Sequence, residues 1–153
     1  MNIPFYKQQA EWSCGVAVMR MVLESLGIEK TREEIIDLLS ANETWGTDNE
    51  KLVKAVKRLG LNHIEMSDAS VEDLKKLFEQ GYRVIVNYTI PEENQGHFAI
   101  FNDISEGRIN LIDPQFGPEH GYLIEKFEEI WRGGEKDKDA WHWLIGIRST
   151  EKA

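Results

Sequence analysis

Cys14 is the only cysteine in the chain. It lies in Gln8–Gly27, QQAEWSCGVAVMRMVLESLG, where a loop becomes a helix. With Ser13 as N-cap, Cys14 falls in the first helical turn, where unpaired N–H groups and the helix dipole favour an anion. A thiol so placed leans towards thiolate, the form that attacks electrophiles. A lone cysteine is more often a small buried hydrophobe, so the chemical reading depends on partners elsewhere. Thiol catalysis needs a base, a group that orients the base, and donors for an oxyanion. His97 opens one strand after the Gly96 turn, and Asp113 closes a neighbouring strand beyond the Glu106-Gly107 hairpin. Side chains near the open ends of adjacent strands lie within hydrogen-bonding reach, so the carboxylate can hold the imidazole in one tautomer. Gln8, six residues before Cys14, supplies an amide able to donate to an oxyanion together with the Cys14 N–H. Taken singly, each is ordinary: a strand histidine, an Asp-Pro turn, a loop glutamine. Their conjunction carries the reading.

The elements that must position these groups follow from patterning. Val16 to Leu26 is apolar on most of its circumference, which predicts a largely buried helix ended by Gly27. Thr31-x-x-Glu34 and Thr47-x-x-Glu50 read as capping boxes that open two further helices. A short strand is expected at Leu61–Met66 and a fourth helix over Val71–Gln80. Tyr82–Ile90 is rich in β-branched and aromatic residues and reads as a strand. Strands at His97–Ile104 and Arg108–Ile112 follow, then a short segment at Tyr122–Ile124, a helix near Glu125–Trp131 and a last strand at Trp141–Ile147. Residues 1–12 read as an extended arm and 133–139 as a polar connection. Helices first and antiparallel strands second predict one α+β domain over 1–153, with a helical lobe at about 1–81 and a sheet lobe at about 82–153.

Composition bounds the rest. At 153 residues the chain suits one domain. A net charge of −9 argues against nucleic acid or an anionic membrane as partner. A single cysteine forms no intrachain disulfide. No signal peptide is legible at the start, and no apolar run approaches the roughly 18 residues of a membrane span, so a cytoplasmic protein is expected. His63, His120 and His142 lack metal-ligand spacing, so neither metal nor cofactor is expected. Trp12 and Trp45 flank the expected cleft; with Gly15 beside the nucleophile and Gly96 beside the base they are the candidate substrate contacts. Trp131, Trp141 and Trp143 read as core or sheet-face residues.

Gln8-x5-Cys14-Gly15-x-Ala17, with Met19, Met21 and a terminal Gly27, resembles the papain-like peptidases. The nearest likeness is to the double-glycine leader peptidases that process bacteriocin precursors, and to the stand-alone domains like them. Gly96-His97-Phe98-Ala99-Ile100, Asp113-Pro114-Gln115-Phe116-Gly117 and Gly46-Thr47 extend the likeness over about residues 5–147. The resemblance implies a papain-like fold with the nucleophile helix packed on an antiparallel sheet. It implies a Cys14–His97–Asp113 triad, Gln8 in the oxyanion hole, and a peptide or protein substrate. Ser13 stands where leader-cleaving members carry an acidic residue, and no transporter segment follows, so the resemblance implies the family's peptidase chemistry and leaves the leader substrate open. Other acyl-transfer activities (transpeptidase, amidase, deamidase) and a non-catalytic peptide-binding module are the alternatives.

Overall fold

The structure is a computed structural model and describes residues 2–44, 46–133 and 141–150. Its elements run α1 (Cys14–Ser25), α2 (Arg32–Leu39), α3 (Asn49–Arg58), β1 (Asn62–Met66), α4 (Val71–Glu79), β2 (Arg83–Ile90), β3 (Gln95–Ser105), β4 (Arg108–Asp113), β5 (Gly117–Leu123), α5 (Ile124–Ile130) and β6 (Leu144–Arg148). A 3₁₀ turn at Glu11–Ser13 leads into α1. The six strands form one antiparallel sheet in the order β1-β6-β2-β3-β4-β5. This is an α+β architecture.

Chain order and layer do not coincide. One face of the sheet offers Ile85, Phe98, Ile100, Ile112, Ile145 and Ile147 to α1, α2 and α3. The other face offers Val84, Val86, Tyr88, Ala99, Phe101, Ile109 and Leu111 to α4 and α5. Strand β1 pairs with β6 and so belongs to the sheet, while α4 covers the face remote from α1. Central β2 is covered on both sides, and every residue from Val84 to Ile90 is buried. A strand without a polar face is the pattern of such a doubly covered position. Helix α1 buries Gly15, Val16, Ala17, Val18, Met19, Met21, Val22 and Leu23, which seats its N-terminus, and Cys14 with it, firmly. Burial of each large side chain stabilises the fold by roughly 1.5–3 kcal/mol.

Three local expectations are corrected. The capping box on α2 is present, with Thr31 Oγ1 accepting from the Glu34 N–H at 3.1 Å and Glu34 Oε1 accepting from the Thr31 N–H at 2.9 Å. Helix α3, however, is capped one residue later: Asp48, not Thr47, accepts from the Lys51 N–H at 2.9 Å. Strand β5 starts at Gly117, well before the expected Tyr122. Gly117-Pro118 reads as a breaker, yet β5 lies at the edge of the sheet, where a missing backbone donor is tolerated. Strand β6 begins at Leu144 rather than Trp141, because His142 turns the chain with a φ of 47°. Trp131 and Trp143 are core residues and Trp141 is exposed. The connection expected at 133–139 lies, beyond Gly133, outside the described residues, as does Trp45. Among the described residues no helix is long and apolar enough to cross a membrane.

Candidate active site

Cys14 is the first residue of α1 and is half-buried. Ser13 occupies the N-cap position without capping: its Oγ accepts from the Ala10 N–H at 3.0 Å and donates to the Ala10 carbonyl at 2.9 Å. The hydroxyl thus locks the 3₁₀ turn and does not cap the N–H groups of α1. The loop before α3 is seated against the same end. Gly46, at φ +61°, lets the chain pass the Trp12 carbonyl, which would lie 3.2 Å from a Cβ there. Gly15 is buried, and a Cβ on it would meet Thr47 Cβ at 2.8 Å. In the structure, then, Gly15 makes room for Thr47.

His97 and Asp113 stand at the same end of β3 and β4. His97 Nε2 and Asp113 Oδ1 are 2.8 Å apart, and both side chains are buried. With Nε2 directed at the carboxylate, Nδ1 is left for the thiol. Burial alone would lower the basicity of His97, but hydrogen bonds to Asp113 and Cys14, with the negative charges of both, raise its pKa to about 10. Burial likewise opposes the charge on Asp113. The hydrogen bond and positive charge of His97, a hydrogen bond from Tyr88 and the Gln115 N–H outweigh it and hold the carboxyl below its usual range. Two backbone donors come from the turn itself: the N–H groups of Gln115 and Phe116 reach Asp113 Oδ1 at 2.9 and 3.2 Å. The Asp-Pro turn therefore gathers donors around the acid, a local side-chain-to-backbone motif.

Gln8 is tied to this end of the molecule through its backbone, whose N–H donates to the Pro114 carbonyl at 2.8 Å. Its Nε2 donates to the Ala10 carbonyl at 3.1 Å, and among the described residues its second amide hydrogen and its buried Oε1 have no partner. A cleft of about 40 Å³ beside it is lined by Tyr6, Ser13, Arg20 and Arg32. A larger depression of about 300 Å³ lies between α2 and Arg58, away from the chemistry. Trp12 is half-buried, with the Arg32 guanidinium 5.4 Å from its ring. Gly96 is exposed and pairs with Thr89 just before His97. Among the described residues no group of three or more His, Cys, Asp or Glu could hold a metal ion.

Sequence reasoning missed two neighbours of the pair. Phe116, exposed, sets its ring edge-on to His97 at 6.3 Å and stacks on His120 at 4.5 Å. Tyr88, fully buried, donates to Asp113 Oδ2 at 2.5 Å. In the sequence Tyr88 is one more aromatic in a strand of apolar residues; the signal that could have marked it is its place opposite His97 in the β2–β3 register.

The chain matches the peptidase C39 family over residues 2–134. A double-glycine motif protease from an AMS/PCAT transporter, solved in complex with a leader peptide, superposes with a TM-score of 0.73 at 19% identity, covering 97% of this chain and 93% of that one. A putative C39-like peptidase from Bacillus anthracis superposes with a TM-score of 0.76 at 16% identity, covering 99% and 96%. At these identities the likeness speaks for the fold. A 49-residue stretch is 39% identical to guanylyl cyclase 1 of Arabidopsis thaliana, covering 31% of this chain but only 18% of that protein.

Proposed function

The chain belongs to the peptidase C39 family of cysteine peptidases, and on that premise we propose that it cleaves a peptide bond through Cys14, His97 and Asp113, with Gln8 at the oxyanion. The observation that supports this most is the buried His97–Asp113 pair at 2.8 Å, with Cys14 near enough to His97 to raise its basicity. His97, made basic by its two neighbours, takes the Cys14 proton. Sγ attacks the scissile carbonyl carbon, and the uncapped N–H of Cys14 with the Gln8 amide bind the oxygen as it gains charge. The C–N bond breaks, His97 hands its proton to the leaving amine, and a thioester to Cys14 remains. Water, its proton passing to His97, attacks that thioester; the C–S bond breaks, and the carboxylate product leaves. Asp113 stays ionised and holds the imidazole throughout.

A peptide is the substrate class that both the family and the leader-bound relative support. The test is hydrolysis of a fluorogenic peptide library by wild type and Cys14→Ala. Removal of the nucleophile is expected to cut turnover on the order of 10⁶-fold with an unchanged melting temperature. Undiminished cleavage by a folded Cys14→Ala protein would overturn the reading.

A further inference from the structure

We propose that Tyr88 is a positioning residue for this reaction: its hydroxyl holds the far oxygen of Asp113 and thereby fixes the carboxylate that orients His97. The proposal rests on the peptidase reading above and adds a member to it.

The two oxygens of Asp113 are supplied unequally. Oδ1 takes His97 Nε2 at 2.8 Å and the N–H groups of Gln115 and Phe116 at 2.9 and 3.2 Å. Oδ2 takes the Tyr88 hydroxyl at 2.5 Å, its one donor among the described residues. Both side chains are fully buried, so water does not stand in for a lost donor. A buried charge left short of donors turns or neutralises. Without Tyr88 the donors on Oδ1 remain but Oδ2 is left unpaired, so the carboxylate takes up a proton there more readily or shifts on its Oδ1 donors, and either event loosens its hold on the His97 cation.

Tyr88 is itself held in place. It sits directly opposite His97 in the β2–β3 register, with its ring edge-on to His97 at 5.6 Å and to Tyr122 at 5.5 Å, and tilted against Phe127 of α5 at 6.3 Å. Its proton is given to Asp113, so its oxygen is the acceptor for Tyr122 Oη at 3.5 Å. Tyr122, with its proton so directed, accepts from His120 Nε2 at 2.9 Å. One directed chain therefore runs from His120 through Tyr122 and Tyr88 to Asp113. Burial and the Asp113 charge push the Tyr88 hydroxyl far above the usual phenol range, so it stays a donor at any working pH. Burial lowers the pKa of His120, which favours a neutral ring, and the bond to Tyr122 then calls for its proton on Nε2. The titratable groups that face Tyr88 are Asp113 from β4, His97 from β3 and Tyr122 from β5, with His120 of β5 behind Tyr122; α5 faces it with the apolar Phe127. Glu92 and Glu93 act on Tyr122, and Arg108 acts on His120, through charge.

The test is the pH dependence of Cys14 alkylation by iodoacetamide, with melting temperature as the control, on wild type, His97→Ala, Tyr88→Phe and Tyr122→Phe. A hydrogen bond to a charged group is worth enough to move a pKa by about one unit or more. In Tyr88→Phe the acid limb of the profile is therefore expected about one pH unit higher, with alkylation near that limb slowed about tenfold. Tyr122→Phe, one bond further out, is expected to move the limb the same way by less. A Tyr88→Phe protein that melts lower but keeps the wild-type acid limb would show mere core packing and overturn the proposal. Should Tyr88→Phe not fold, Tyr122→Phe decides: a raised limb supports the proposal and an unmoved one overturns it. A wild-type profile indifferent to His97→Ala would instead sink the peptidase reading, and this proposal with it, before either tyrosine is changed.

Discussion

His97 owes its chemistry to two neighbours that pull in the same direction. Asp113 on Nε2 and the nearby Cys14 both favour the cationic form, and together they outweigh burial. The consequence for stability has a definite sign. The folded-state pKa of about 10 lies above the ordinary value of 6.5, so the stability from this histidine is fully present below about pH 6.5. It is lost as pH rises from there through about 10. Asp113 behaves oppositely: its carboxyl is held below the usual range, so its contribution is present above about pH 3.9 and lost as pH falls further. The melting temperature of wild type minus that of His97→Ala is therefore expected to shrink from pH 6.5 to pH 10. A difference that stays constant across this window would contradict the raised basicity of His97.

At the scale of elements, the site is made where three segments meet: the turn and first residues of α1, the Gly46-Thr47 loop, and the matching ends of β3 and β4. The close approach of loop to helix makes a sharp prediction. Gly15→Ala would place a methyl group 2.8 Å from Thr47 Cβ, and overpacking of this kind costs about 1–3 kcal/mol. Chemical denaturation should read that loss; no loss would mean that the loop does not sit on the helix as described. The same elements show what the sequence could and could not disclose. Cys14, His97, Asp113 and Gln8 stand out because each sits at a legible boundary: a helix start, a strand start, a strand end, a loop six residues before a thiol. The Thr31 box is equally local and equally legible. Tyr88 is not, because its role depends on the cross-strand register with His97 and on reach across the sheet to Asp113, neither of which a local pattern encodes. The same holds for His120 and Tyr122, whose strand is disguised by Gly117-Pro118.

At the scale of the whole molecule, the sheet keeps its two faces separate. One carries α1 and with it Cys14; the other, under α4 and α5, holds the buried Tyr88 that donates to Asp113. The geometry of the proposed site then depends on packing from both sides, as expected when a site is held by rigid elements rather than loops alone. With one thiol in 153 residues, thiol alkylation of the intact chain reports on Cys14. The most direct test of the account is therefore the rate of iodoacetamide modification from pH 4 to pH 9 on wild type and His97→Ala. If Cys14 and His97 act together, wild type should react much faster than a free cysteine at pH 6, and His97→Ala should lose that advantage. Slow reaction in both proteins, following the course of a free cysteine, would contradict the central claim.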